Sequence, residues 1–146
     1  ADIKQDYQKK APLAAFYELW SRPLTTIAQH SWPQQHLEIC RLSNPFSKAV
    51  SAYPQVNIEQ VLTQAIDLII QPLSINQTAR EAFNWQDWPI ISAVKNNYII
   101  RPDADAMHRM SKRSLDEVSK LCEQVDQIRQ LIQTKNQLTP TLYDEG

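Results

Sequence analysis

Glycine is all but missing from this sequence: the only one in 146 residues is Gly146, at the very end. Sites that need backbone free of Cβ atoms are excluded with it. A phosphate-cradling P-loop and a dinucleotide fingerprint both require glycines at fixed spacing. The Gly-x-Ser-x-Gly nucleophile elbow requires two more. Cysteine is scarce as well, and Cys40 and Cys122 are too far apart for a Cys-x-x-Cys redox or zinc pattern. The three histidines, His30, His36 and His108, lack metalloprotease spacing. Spacing does not exclude a scattered Ser/His/Asp site. The net charge is −1, and the basic residues gather no further than the pairs Lys9-Lys10 and Lys112-Arg113. A nucleic-acid face needs many phosphate-directed cations together, so no such partner is expected. No apolar run approaches the roughly 20 residues of a membrane span, and none is expected to be embedded. The opening Ala1-Asp2-Ile3-Lys4 is not the basic-then-apolar start of a signal peptide.

What is present suits one folded unit. Hydrophobic residues make up 42% and charged residues 21%, enough for a core and too apolar for disorder. Residues 2–10, with Ile3 and Tyr7 four apart, read as the end of a helix stopped by Pro12. Residues 13–19, Leu-Ala-Ala-Phe-Tyr-Glu-Leu, read as a buried strand. Ser31 is placed to cap a helix with Pro33 in its first turn and Leu37, Cys40 and either Ile39 or Leu42 facing inward. Residues 44–54 read as a loop, and Asn57 as the cap of a short helix that buries Ile58, Val61 and Leu62. Residues 66–70 are a second strand, 75–83 a helix, 85–89 irregular and 98–100 a third strand. A last helix carries Leu115, Val118, Cys122, Val125, Ile128 and Ile132 at helical spacing, with Ser114 and Glu117 as its capping box. Strands alternating with helices predict a three-layer α/β/α sandwich with a mainly parallel central sheet. Ligands gather at the carboxyl ends of such strands, here residues 20–25, 71–74 and 102–109.

Four segments carry a family likeness. They are Phe16-Tyr17-Glu18-Leu19-Trp20 with Pro23-Leu24-Thr25-Thr26; Tyr53-Pro54-Gln55-Val56-Asn57-Ile58-Glu59-Gln60-Val61-Leu62; Ile91-Ser92-Ala93-Val94-Lys95-Asn96-Asn97-Tyr98-Ile99-Ile100; and Arg109-Met110-Ser111-Lys112-Arg113 with Leu121-Cys122-Glu123-Gln124-Val125-Asp126. In this order they resemble the C-terminal lobe of the periplasmic metal-chelate-binding proteins of ABC importers, which capture cobalamin, haem or ferric siderophores. Glu38-Ile39-Cys40 and Leu121-Cys122 point within that family to the cobalamin binders. The resemblance implies a lobe over residues 12–134, preceded by the end of an inter-lobe helix (residues 1–11) and followed by a tail (residues 135–146). It also implies a partner N-terminal lobe, an importer permease, a periplasmic location, a metal chelate as ligand, and neither a catalytic centre nor a cofactor. The family has glycine after the first helix where this chain has Arg41-Leu42-Ser43, so the turn is expected to close without a residue free at positive φ.

From the residues alone, Glu59 is a first-turn carboxylate favoured by the helix dipole. The resemblance implies instead a docking residue that meets permease arginines. The resemblance likewise implies ligand contacts at Trp20 and Tyr53, and polar contacts at Asp105 and Arg109 in the loop after the last strand. Trp32, Trp85 and Trp88 read as packing residues. His108 is a lone candidate for ligating haem iron. A disulfide between Cys40 and Cys122 fits an even pair in a periplasmic chain. A reading from another class is a small α/β enzyme with an acid–base site around Asp105, His108 and Arg109.

Overall fold

The computed structural model describes residues 7–74, 82–108 and 112–145. Four parallel strands form the sheet in the order β4-β1-β5-β6: β1 (Leu13–Tyr17), β4 (Leu42–Ser43), β5 (Leu68–Ile70) and β6 (Ile99–Ile100). The register sets Leu13 beside Leu42, Ala15 beside Leu68 and Ile69 beside Ile99. A small antiparallel hairpin, β2 (Trp20–Ser21) with β3 (Leu24–Thr25), follows β1 at its carboxyl end.

Alternation along the strands divides the core in two, because successive side chains leave opposite faces of a sheet. Leu13, Ala15, Tyr17, Leu68, Ile70 and Ile100 face one helical layer. That layer is built from α1 (Trp32–Ile39), α4 (Ala104–His108) and α5 (Lys112–Glu145). Phe16 and Ile69 face the other, with Val61 of α2 (Ile58–Leu62), Ala93 and Val94 of α3 (Ser92–Lys95), and Trp85. The expected three-layer sandwich is therefore the observed one.

Local chemistry accounts for most boundaries. The Ser31 hydroxyl accepts from the Gln34 amide and Pro33 occupies the first turn of α1. Asn57 and Gln60 close a full capping box on α2. On α5, Val118, Leu121, Cys122 and Val125 are fully buried, one turn apart, against the sheet.

Several expectations need correction. Leu115 is exposed, so the buried stripe begins at Val118. Ser114 lies inside α5, and the Glu117 carboxylate accepts from the Asp103 backbone N–H at 2.6 Å instead of closing a capping box. Residues 85–87 form one 3-10 turn. The tail expected from residue 135 continues α5 as far as Glu145. Of the helix expected over residues 75–83, positions 75–81 lie outside the described residues, and Ala82 and Phe83 are not helical. The turn after α1 is the sharpest correction. Arg41 itself takes positive φ, 63°, with its N–H bonded to the Glu38 carbonyl, and a non-glycine residue held there costs roughly 1 kcal/mol. His30 and Asn97 take the same region, at φ 72° and 58°.

Cys40 at the end of α1 and Cys122 in α5 form a disulfide, their Cα atoms 4.8 Å apart. Arg129, 2% exposed, reinforces the same junction. Its Nε donates to the Ala11 carbonyl at 2.7 Å, Nη2 to the Cys40 carbonyl at 3.0 Å and Nη1 to Asp126 at 2.9 Å. That tethers the entering chain, the end of α1 and the last helix at one point. No helix among the described residues is long and apolar enough to cross a membrane.

Candidate functional site

All four sheet strands point their carboxyl ends the same way, so the loops after β1, β5 and β6 meet along one edge. A recess of about 400 Å³ opens there, lined by Leu19, Trp20, Trp32, Pro33, Tyr53 and His108. Trp20 is 67% exposed and Tyr53 49%. Aromatic rings left this open cost hydration that packing elsewhere would have relieved, and they offer flat apolar area to a ligand. Trp20 is held out by the β2–β3 hairpin. Tyr53 is held by a loop whose backbone ties back to β3 and its continuation: the Thr26 amide bonds the Pro54 carbonyl and Val56 bonds Leu24.

Polar groups lie under the recess. The Tyr17 hydroxyl lies 2.8 Å from His108 Nε2. Tyr17 is fully buried, and that burial pushes its phenol pKa far above the ordinary value. His108 is held below the usual imidazole range by burial of part of its ring, with the Asp105 carboxylate pulling the other way. Beneath it, His36 donates through Nε2 to the Met107 carbonyl at 3.1 Å, and its other nitrogen has no partner among the described residues. Trp32 packs edge-on against His36, and its indole N–H is likewise buried without a partner. Each such orphan costs about 1–3 kcal/mol.

Beside the recess, the buried Glu18 holds the sheet edge together. Its carboxylate accepts from Ser21 Oγ at 2.6 Å, Gln71 Nε2 at 2.9 Å, the Phe83 amide at 3.1 Å and Trp85 Nε1 at 2.7 Å. Gln71 in turn accepts from Arg101 Nε at 2.8 Å.

Of the residues singled out by sequence, the structure brings Trp20 and Tyr53 to one recess. Asp105 is exposed in the first turn of α4, outside the recess lining. Arg109 lies outside the described residues. Glu59 is exposed in the first turn of α2 and makes no ion pair among the described residues. Two further residues line the recess, Trp32 and His108. Trp32, expected as a packing residue, directly follows the Ser31 cap of α1, and that cap is the local signal of its position. For His108 the sequence alone offers an iron ligand or an acid–base group. Among the described residues no group of His, Cys, Asp and Glu is arranged to hold a metal ion.

Comparison with known proteins places the fold. No family model matches the chain. A vitamin B12-binding protein of Vibrio campbellii is 30% identical over 133 residues, 88% of this chain and 46% of its own length. The vitamin B12-binding protein of Vibrio cholerae is 32% identical over 83% of this chain and 43% of its own. This chain is homologous to one half of the vitamin B12-binding proteins. The crystal structure of the periplasmic vitamin B12 binding protein BtuF of Vibrio cholerae superposes with a TM-score of 0.77 at 32% identity, over 88% of this chain and 49% of that one. The periplasmic haem binding protein HutB of the same species shares the fold, with a TM-score of 0.68 at 17% identity. The chain spans about half the length of the curated relatives it matches. Those relatives are binding proteins by name.

Proposed function

We propose that this chain is the C-terminal lobe of a periplasmic binding protein that captures cobalamin between two lobes and delivers it to an ABC importer. It binds and does not catalyse. The supporting observation is the open aromatic recess, with Trp20 and Tyr53 on one face at the carboxyl edge of the sheet. That is half of a sandwich for a large flat ligand. Trp20 and Tyr53 pack on the ligand, and Asp105 of α4, one turn before the recess residue His108, and Arg109 supply polar contacts. Glu59 stands free on a different element and docks on permease arginines, for which an exposed, pre-oriented carboxylate is suited.

A lone lobe keeps few of the contacts and still bears the cost of immobilising the ligand. A nanomolar two-lobed binder at about −12 kcal/mol would keep about −4 to −6, which is millimolar to tens of micromolar. Titration calorimetry with cyanocobalamin measures this directly. Nanomolar binding by the single lobe refutes the half-site reading. Co-expression with the complementary N-terminal lobe provides the second test, with a corrin-coloured complex as the expected product.

A further inference from the structure

We infer that His108 serves the recess as a fixed hydrogen-bond donor through its Nδ1–H, aimed at a carbonyl oxygen on the ligand's rim, and is not an axial ligand to the ligand's metal. This rests on the reading above that the recess receives the ligand.

The tautomer follows from counting protons. The Tyr17 hydroxyl is fully buried, and among the described residues its one partner is His108 Nε2, at 2.8 Å. If Nε2 carried a proton and donated it, the phenolic proton would be left buried without an acceptor. The satisfied arrangement has the phenol donating and Nε2 accepting. Tyr17 stays protonated because burial disfavours the phenolate. The imidazole stays neutral because partial burial of its ring lowers its pKa, although the residue keeps an exposed edge at the recess. A neutral imidazole whose Nε2 accepts must carry its proton on Nδ1. Nδ1 has no partner among the described residues, and the ring lines the recess.

Two consequences follow. Metal ligation needs a nitrogen lone pair, and the one on Nε2 is already used while Nδ1 has none. Asp105 sits one turn before His108 on α4, so the donor lies in a negative local field. A neutral carboxamide carbonyl suits such a site better than a carboxylate does.

The test begins with long-range ¹⁵N–¹H correlation on ¹⁵N-histidine-labelled chain. The expected pattern for His108 is a protonated Nδ1. In Tyr17→Phe the acceptor demand disappears and the ring should revert toward the Nε2–H form ordinary in water. Aquocobinamide, a corrinoid with open axial positions, probes ligation by its visible spectrum. The intact chain should leave the spectrum without an imidazole-bound signature, and Tyr17→Phe should acquire one. Millimolar cyanocobalamin should shift both the Trp20 indole and the His108 ring resonances. His108→Ala should lose about 3- to 10-fold in affinity, the usual scale of one hydrogen bond, and His108→Gln should restore most of it. An Nε2–H tautomer in the intact chain overturns the inference, as does a cobinamide–imidazole spectrum that vanishes in His108→Gln. If Trp20 shifts and His108 does not, the inference fails while the capture reading stands. If neither shifts, both fall.

Discussion

Replacing Glu18 by glutamine tests whether the sheet edge under the recess is organised by one buried carboxylate. Glu18 is 4% exposed, and both of its oxygens are occupied: Oε1 by Gln71 and Trp85, Oε2 by Ser21 and Phe83. A carboxylate accepts from all four donors, whereas an amide keeps one acceptor oxygen and turns an NH₂ toward the other two. Ser21 can rotate its hydroxyl, but the Phe83 backbone N–H and the Trp85 indole are fixed by packing. One or two buried donors are thus left facing another donor. Hydrogen bonds to charged groups contribute about 1.5–3 kcal/mol each, so the loss is about 1.5–6 kcal/mol. For a domain of this size that is a fall of roughly 5–20 °C in Tm. Urea denaturation followed by tryptophan fluorescence measures it, with Glu18→Ala as a cavity-forming control. A loss below about 1 kcal/mol would refute the idea that the carboxylate ties the hairpin, β5 and the segment at Phe83 into one edge.

Other outcomes follow from the same structure. The Cys40–Cys122 disulfide closes a loop of sequence separation 82, for which the chain-entropy model gives about 4–5 kcal/mol. Denaturation midpoints with and without reductant should differ accordingly, and an unchanged midpoint contradicts it. Glu59→Ala should leave folding within roughly 0.5–1 kcal/mol, since the side chain is exposed and only the helix dipole favours it. In a two-lobed protein it should lower transport and spare ligand affinity; loss of affinity would remove the docking role. His36 is buried, and that burial lowers its folded-state pKa. Below the ordinary imidazole value of 6.5 the unfolded chain therefore binds more protons than the folded one. Stability should be full above that pH and decline as pH falls through it, and His36→Gln should flatten the decline. A urea midpoint identical at pH 7.5 and 5.5 in the unsubstituted chain would overturn this assignment.

The sequence by itself determined the layers and most of the element starts. The apolar run from Leu13 to Tyr17, the caps at Ser31 and Asn57, and the stripe from Val118 to Ile128 are local signals, readable because they depend on neighbours a few residues apart. Its near-total lack of glycine was legible as an exclusion of nucleotide loops. What that lack did to the turns was not. Arg41 takes the left-handed region just after α1, at a junction that the disulfide and Arg129 tie to a helix 80 or more residues away. The role of Glu18 was hidden for the same reason: inside an apolar run it looks like one polar interruption, and only packing delivers donors from three other segments. Tertiary structure also decided which aromatics matter. Trp20, Trp32 and Tyr53 meet at one recess, while Trp85 is buried under β1. A tryptophan's side-chain chemistry is the same in both places, and its exposure is set by residues far away in the chain.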